Sequence, residues 1–269
     1  MGAVSGSTKQ GGDAPQRSPG GGISSGEHRG DVPTIVEPIG MAPTLFERSR
    51  GPRALAALCD RLAGEIILRH AVGRATLDLG HGAPQVTQWV RPRAATLTVV
   101  DAVDLGRGAQ IRLPWKGDSF EVAYSLRTLA HLGHDERSSE AAARTALSEL
   151  ARVLVPGGVA LVQIDNPRSL WGAYHGFRHP STVIERGPLV VESDRGLTRF
   201  DTLPRLLEML PPSLALCDLH GLRVFAAWPR LLALPLVGRV LGGLDWFARD
   251  RALLRGFGAH LLCVLRRVR

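Results

Sequence analysis

Two glycines and an aspartate have the residue types and the spacing of a cofactor loop. Residues 77–84 read LDLGHGAP, in which Gly80 and Gly82 follow a short apolar run, and Asp101 stands 21 positions after Gly80. A glycine at the end of a strand lets the backbone approach a ligand closely, and an acidic side chain at this spacing typically reaches a ribose diol. The pattern predicts a nucleotide-type cofactor site, although a tight turn without a ligand would also explain the two glycines.

The segments around this loop alternate between predicted strands and predicted helices. Apolar runs predict seven strands, at 75–80, 95–101, 109–115, 120–126, 159–165, 214–219 and 259–267. Helical periodicity predicts helices within 43–70, from Pro84 to Val90, at 138–154 and 202–210, and in a mostly helical insertion at 226–255. Such alternation is typical of a parallel sheet with helices on both faces. We therefore predict an α/β fold with a doubly wound, mostly parallel, seven-stranded sheet and a C-terminal helical insertion.

Composition divides the chain into a tail and a domain. Residues 1–40 are rich in glycine, serine, proline and charge and nearly lack large apolar side chains, so we expect a disordered tail. Residues 41–269 are predicted to form one domain, in which 75–165 bind the cofactor and 166–258 supply substrate and cap elements.

Charge and cysteine content argue against several classes of protein. The net charge is +8, but only Lys9 and Lys116 are lysines and the arginines are scattered, so we expect no nucleic-acid partner. The three cysteines lie far apart, which argues against a zinc site and a disulfide framework and favours the cytoplasm. We expect no metal site. The most apolar late stretch, 231–243, contains proline and arginine and is shorter than the roughly 20 residues of a membrane span.

Two later segments make the interpretation of the glycine loop specific. Residues 113–132 read LPWKGDSFEVAYSLRTLAHL and residues 147–165 read LSELARVLVPGGVALVQID. Together with LDLGHG, these segments resemble the class I S-adenosylmethionine-dependent methyltransferases, in particular the small-molecule branch called type 11. The resemblance covers residues 75–165, and RVLVPGG is its most distinctive part. A nicotinamide-binding domain would instead require a third glycine at position 85, where Gln85 stands.

The resemblance implies a Rossmann-like fold, S-adenosylmethionine as cofactor and a set of contacts to it. The contacts implied by motif position are Asp78, Gly80, His81 and Gly82 at the methionine end, Asp101 at the ribose, and Ser125 and Leu126 at the sulfonium. His81 could instead only fill space. At the adenine, Asp104 could supply an alternative polar contact, and Gln110 is a second candidate. The adenine side departs from the family pattern, because Ala109 replaces an acidic residue and only 102–112 connect Asp101 to the LP motif.

Histidines supply the candidate bases for an oxygen acceptor. His131 follows the fourth predicted strand, and His175 and His179 lie in WGAYHGFRHP (171–180), which we expect to form a substrate wall. The insertion at 225–258 combines leucine, tryptophan and arginine, which favours an apolar or lipid-like acceptor, peripheral membrane contact, or helices that merely cover the sheet. We predict a methyltransferase for a small, hydrophobic metabolite. The alternative is an inactive methyltransferase-like partner protein. The oligomeric state is left open.

Overall fold

The secondary structure follows the predicted alternation closely. A computed structural model describes residues 52–80, 82–101, 111–170, 189–193, 196–226 and 228–268. The strands are β1 (Ala75–Gly80), β2 (Thr96–Asp101), β3 (Phe120–Ser125), β4 (Leu154–Asp165), β5 (Leu189–Ser193), β6 (Gly196–Phe200), β7 (Leu214–Leu222) and β8 (His260–Arg267). The α-helices are α1 (Pro52–Ala71), α2 (Pro84–Val90), α3 (Glu136–Val153), α4 (Leu203–Met209), α5 (Pro229–Leu232) and α6 (Pro235–Arg249).

Six of these strands form one sheet in the order β2-β1-β3-β4-β8-β7. The pairs from β2 to β4 are parallel, whereas β8 runs antiparallel to both β4 and β7. Only β8 is therefore reversed relative to the other five strands. This confirms the predicted mostly parallel sheet, with six strands instead of seven in the described part of the chain.

The strand predicted at 109–115 is wrong for residues 111–115, which the structure describes as coil. The backbone N–H of Leu113 donates to Glu149 Oε2 of α3 at 2.8 Å, and Arg152 of the same helix donates to the carbonyl oxygens of Leu113 (3.0 Å) and Trp115 (2.7 Å). Pro114 has no N–H to offer a neighbouring strand. Because two helix side chains satisfy the polar backbone groups, this segment packs on α3 without joining the sheet.

Helices cover both faces of the sheet, as predicted for a doubly wound fold. Side chains alternate across β3, so that Val122 and Tyr124 pack with α1 and α2, and Ala123 packs with α3 and α4. Strands β1 and β3, which contribute side chains to both layers, are almost entirely buried. Two apolar cores, one on each face, therefore hold the strand ends in place.

The RVLVPGG segment joins α3 to β4 through a bulge. The helix ends at Val153, and β4 pairs with β3 at Leu154 and again from Val159, with a break in the register between. Within the break Gly157 has φ +80°, in the left-handed region that favours glycine.

The remaining elements confirm the helical insertion and add a hairpin. α5, α6 and a short 3₁₀-helix at Arg255–Phe257 lie between β7 and β8, as predicted. Strands β5 and β6 form a separate antiparallel pair that the sequence patterns did not predict. Across the described helices, none combines the length and the apolar character needed to cross a bilayer. The predicted tail at 1–40 lies outside the described residues.

Candidate functional site at the carboxyl edge of the sheet

The carboxyl ends of β1, β2 and β3 bring the first candidate residues to one edge. The parallel register pairs Gly80 of β1 with Asp101 of β2, and Asp101 is exposed. Neighbouring strands lie about 4.8 Å apart, so the spacing of 21 residues becomes a direct neighbour relation in the fold. Open α/β sheets bind ligands at this edge.

Position 80 requires a glycine because the loop that follows β3 leaves no room for a side chain there. Its φ is +96°, and a Cβ built on it would lie 2.0 Å from Thr128 Oγ1. The Thr128 hydroxyl lies 3.1 Å from the carbonyl oxygens of both Leu79 and Leu126, to either of which it can donate. Thr128 thus fastens the end of β1 to the loop after β3.

Gly82 makes a second close contact with the same loop. A Cβ at Gly82 would lie 1.9 Å from the backbone oxygen of Leu126. Pro84 then opens α2 within its first turn, as predicted, and costs the helix no hydrogen bond because that N–H has no intrahelical partner. The two glycines therefore let two loops of the protein pack against each other at the edge.

Asp78 holds three elements together inside the protein. Its side chain is buried, and Oδ2 accepts hydrogen bonds from the Thr87 hydroxyl of α2 at 2.5 Å and the Tyr124 hydroxyl of β3 at 2.8 Å. Burial, and next the charge of Asp78, raise the pKa of Tyr124 above its usual range. Sequence reasoning missed Thr87 and Tyr124, since nothing in their spacing indicates a shared acceptor. The predicted contact of Asp78 with the cofactor stays a prediction.

Ser125 presents a buried hydroxyl at the end of β3. The residue is fully buried, and within the described ranges its Oγ has no hydrogen-bond partner. Buried polar groups are nearly always paired, so an orphaned hydroxyl at this edge is an exception among the described side chains. Leu126, also buried, turns its carbonyl oxygen toward Gly82.

The remaining predicted site residues are His131 and four residues outside the described ranges. His131 ends the 3₁₀-helix Leu129–His131 and is exposed. His81, Gln110, His175 and His179 lie outside the described residues. Their predicted roles stay predictions.

Two ionic pairs near the edge were missed by sequence reasoning. Arg127, with φ +59°, directly follows Ser125 and Leu126, and its guanidinium forms an ion pair with Asp60 of α1. Burial raises the pKa of Asp60, while Arg127 acts in the opposite direction. At the end of β4, Asp165 Oδ1 lies 2.6 Å from His260 Nδ1. Both pairs depend on tertiary register, which a local pattern does not contain.

Comparison with known proteins identifies the type of fold. No family model and no curated protein sequence matches the chain. Among solved structures, the chain is similar to the 1,6-didemethyltoxoflavin-N1-methyltransferase of Burkholderia thailandensis, which was crystallised with 1,6-didemethyltoxoflavin and S-adenosylhomocysteine. The TM-score is 0.50 and the sequence identity is 15%, and the match covers 78% of this chain and 79% of that one. The chain has the class I methyltransferase fold.

Two further solved methyltransferase structures are similar to the chain at lower scores. One is an S-adenosylmethionine-dependent methyltransferase of Mesorhizobium loti, with a TM-score of 0.45, 16% identity, and coverage of 78% of this chain and 98% of that one. The other is the CcbJ methyltransferase of Streptomyces caelestis, with a TM-score of 0.44, 15% identity, and coverage of 84% and 96%. The predicted family resemblance is confirmed at the level of the fold.

Proposed function

We propose that the chain is an S-adenosylmethionine-dependent methyltransferase that acts on a small, hydrophobic or lipid-like acceptor. The observation that carries the proposal is the orphaned Ser125 hydroxyl beside the Gly80 turn and the exposed Asp101, all at the carboxyl edge of a methyltransferase fold. The similar Burkholderia structure contains S-adenosylhomocysteine, which supports the same cofactor class here.

Different residues at the edge would contact different parts of the cofactor. Asp101 would bind the ribose hydroxyls, the Gly80–Gly82 backbone would take the methionine end, and Ser125 would hydrogen-bond a polar group near the reacting centre. The cofactor supplies an activated methyl group on a sulfonium. The protein then has to orient the acceptor in line with that methyl group and exclude water.

The surface of α6 supports an apolar acceptor and peripheral membrane contact. Leu236, Val240, Leu244 and Phe247 are exposed by 75%, 55%, 43% and 55%, and their spacing of four, four and three residues puts them on one face of the helix. Asp245, the acidic residue of α6, is fully buried.

Arginine accompanies this exposed apolar face. The guanidinium of Arg251 stacks 4.4 Å from the Phe247 ring, and Arg230 and Arg239 are exposed. An apolar helix face flanked by arginine, with no exposed acidic residue within Pro235–Arg249, suits an anionic bilayer surface or an acceptor delivered from one. On its inner side α6 is held by Arg249, which donates to Glu65 Oε2 of α1 at 2.9 Å.

Calorimetric titration with S-adenosylhomocysteine tests the cofactor assignment. We expect binding in the micromolar range, and Asp101→Ala should weaken it by about 1–3 kcal/mol because a charge-assisted hydrogen bond is lost. Absence of binding at millimolar ligand would overturn the enzyme assignment and favour the inactive partner protein. Unchanged affinity of the variant would reject the ribose role.

Vesicle sedimentation tests the surface of α6. We expect the protein to bind vesicles that contain phosphatidylglycerol more tightly than pure phosphatidylcholine vesicles, and Leu236→Ser/Val240→Ser should weaken this binding. The matched control is Leu207→Ser on α4, where a leucine is exposed by 42% away from α6. Equal loss in the control, or no vesicle binding by the unmodified protein, would refute the membrane contact.

A further inference from the structure

The loop that follows β3 contains a residue in a strained backbone conformation. Arg127 has φ +59°, in the left-handed region that is unfavourable for a residue with a Cβ. A residue other than glycine keeps this conformation only where the contacts around it hold it there. Arg127 directly follows Ser125 and Leu126, which are predicted to lie at the sulfonium. The contacts that hold Arg127 therefore determine the shape of the predicted cofactor loop.

The backbone beside Arg127 fits closely against the turn that follows β1. A Cβ at Gly82 would lie 1.9 Å from the Leu126 oxygen and 3.4 Å from the Cβ of Arg127. The same Leu126 oxygen lies 3.1 Å from the Thr128 hydroxyl. The φ rotation of Arg127 is next to the Leu126–Arg127 peptide bond, so a change in φ would swing the Leu126 carbonyl relative to Gly82. The left-handed conformation of Arg127 is thus part of the packing between the two loops.

Helix α1 supplies the contact that holds the Arg127 side chain. The guanidinium forms an ion pair with Asp60, in which Nη2 donates to Oδ1, and the two side chains are exposed by 29% and 9%. Among the described residues Asp60 is its only hydrogen-bond or ion-pair partner, and the buried Nε has none. Hydrogen bonds between charged groups are stronger than those between neutral groups. A single strong contact therefore ties the strained residue to α1.

The same helix also belongs to the apolar core that surrounds the loop. Leu126 is 2% exposed and lies in one core cluster with Leu58 and Leu62 of α1, the leucines on either side of Asp60 in the sequence. One stretch of α1 thus contributes to the core around Leu126 and forms the ion pair with the next residue. A displacement of this stretch would disturb both contacts, so the position of α1 and the shape of the loop are coupled.

We propose that Asp60 and Arg127 are positioning residues that couple α1 to the cofactor loop. The ion pair keeps Arg127 in its left-handed conformation, which holds the Leu126 carbonyl against Gly82 and keeps the loop in the shape that binds S-adenosylmethionine. Neither side chain touches the reacting atoms. Because coupling is reciprocal, cofactor binding strengthens the contact of α1 with the loop by the factor by which that contact strengthens cofactor binding. The inference rests on the proposed function, since it requires the cofactor at this edge.

Calorimetric titration of variants with S-adenosylhomocysteine tests the coupling. Asp60→Asn removes the charge that holds Arg127 and should weaken binding about tenfold. Arg127→Ala keeps the backbone strain without the guanidinium and should weaken binding by a similar factor. Arg127→Gly also lacks the guanidinium, but glycine adopts φ +59° readily, so its affinity should stay within about threefold of the unmodified protein. This rescue by glycine separates a positioning role from direct contact of the guanidinium with the ligand.

Asp118 provides the matched control at the opposite edge of the sheet. It also has φ +59°, lies just before β3, and forms an ion pair with Arg267. Asp118→Ala therefore combines the same backbone strain with the loss of an ion pair. It should lower the free energy of unfolding in urea and leave the affinity for S-adenosylhomocysteine unchanged. A loss of affinity equal to that of Asp60→Asn would trace the effect to general stability and overturn the coupling.

Hydrogen exchange follows the coupling from the side of the helix. In the unmodified protein, S-adenosylhomocysteine should slow amide exchange at 58–62 of α1 by a larger factor than in α4, on the other face of the sheet. Equal factors would refute the coupling even if every variant failed to fold. Binding by the unmodified protein with equal affinity in Asp60→Asn and Arg127→Ala would reject the inference and leave the proposed function standing. If the unmodified protein does not bind at millimolar ligand, the proposed function fails and the inference fails with it.

Discussion

The contact between Gly80 and Thr128 yields a prediction that separates backbone strain from steric overlap. In Gly80→Ala the new Cβ meets three Thr128 side-chain atoms, at 2.0, 2.4 and 2.7 Å, in a backbone with φ +96°. The left-handed conformation costs alanine about 1–2 kcal/mol, and overpacking adds about 1–3 kcal/mol. The free energy of unfolding should therefore fall by about 2–5 kcal/mol.

Two further variants separate the contribution of backbone strain from that of steric overlap. Gly157 has φ +80°, and among the described residues no atom lies within 4 Å of the position that a Cβ would take, so Gly157→Ala should lose only the strain of about 1–2 kcal/mol. Thr128→Gly removes all three atoms that Gly80→Ala would strike. The double variant Gly80→Ala/Thr128→Gly should then be less destabilised than the sum of its single variants by about 1–3 kcal/mol, whereas Gly157→Ala and Thr128→Gly should add.

Urea unfolding at 25 °C measures each of these free energies. Additive behaviour of Gly80→Ala and Thr128→Gly would refute the contact between the two loops. Gly82→Ala has no such suppressor among side chains, because its nearest atom is the backbone oxygen of Leu126 at 1.9 Å. It should displace a loop and weaken S-adenosylhomocysteine binding together with stability. A Gly82→Ala protein with unchanged stability and affinity would reject this packing.

Three other variants test the remaining contacts. Tyr124→Phe removes a 2.8 Å hydrogen bond to the buried Asp78 carboxylate and should lower the free energy of unfolding by about 1–3 kcal/mol in urea. Arg152→Met releases the two carbonyl groups of the 113–115 segment and should make that segment more readily cleaved in limited proteolysis than it is in the unmodified protein. Because the pKa of His260 is raised from 6.5 to about 10, its stabilisation is complete below pH 6.5 and is lost as the pH rises toward 10. The destabilisation by His260→Asn should therefore be larger at pH 6 than at pH 10, by roughly 2–4 kcal/mol in thermal or urea unfolding, and equal values would contradict the pair.

The sheet could be predicted because its strands carry the information locally. Buried parallel strands read as apolar runs, and β1 occupies the predicted residues 75–80 without a shift. The 21 residues from Gly80 to Asp101 are enough for one helix, one strand and two turns. This spacing therefore also predicted that Gly80 and Asp101 lie on neighbouring strands of the sheet.

The errors and omissions have a common physical origin. Leu113 has the apolar neighbours of a strand residue, but its N–H is satisfied by Glu149, 36 positions later in the sequence. Asp165 meets His260 only because a strand 95 positions later returns beside β4. Hydrogen bonds between distant side chains depend on the assembled register, and residue type and local spacing do not encode them.

The position of β8 has a consequence for how the protein is made. This strand comes last among the described elements, yet it lies inside the sheet, between β4 and β7. While the chain emerges from the ribosome, β4 and β7 each have an edge with unpaired backbone N–H and C=O groups. These groups can pair with other chains until residues 260–267 have been synthesised. Folding should therefore finish in one late step, so that a chain cut before His260 lacks the strand that joins β7 to the rest of the sheet and becomes a client for chaperones or proteases.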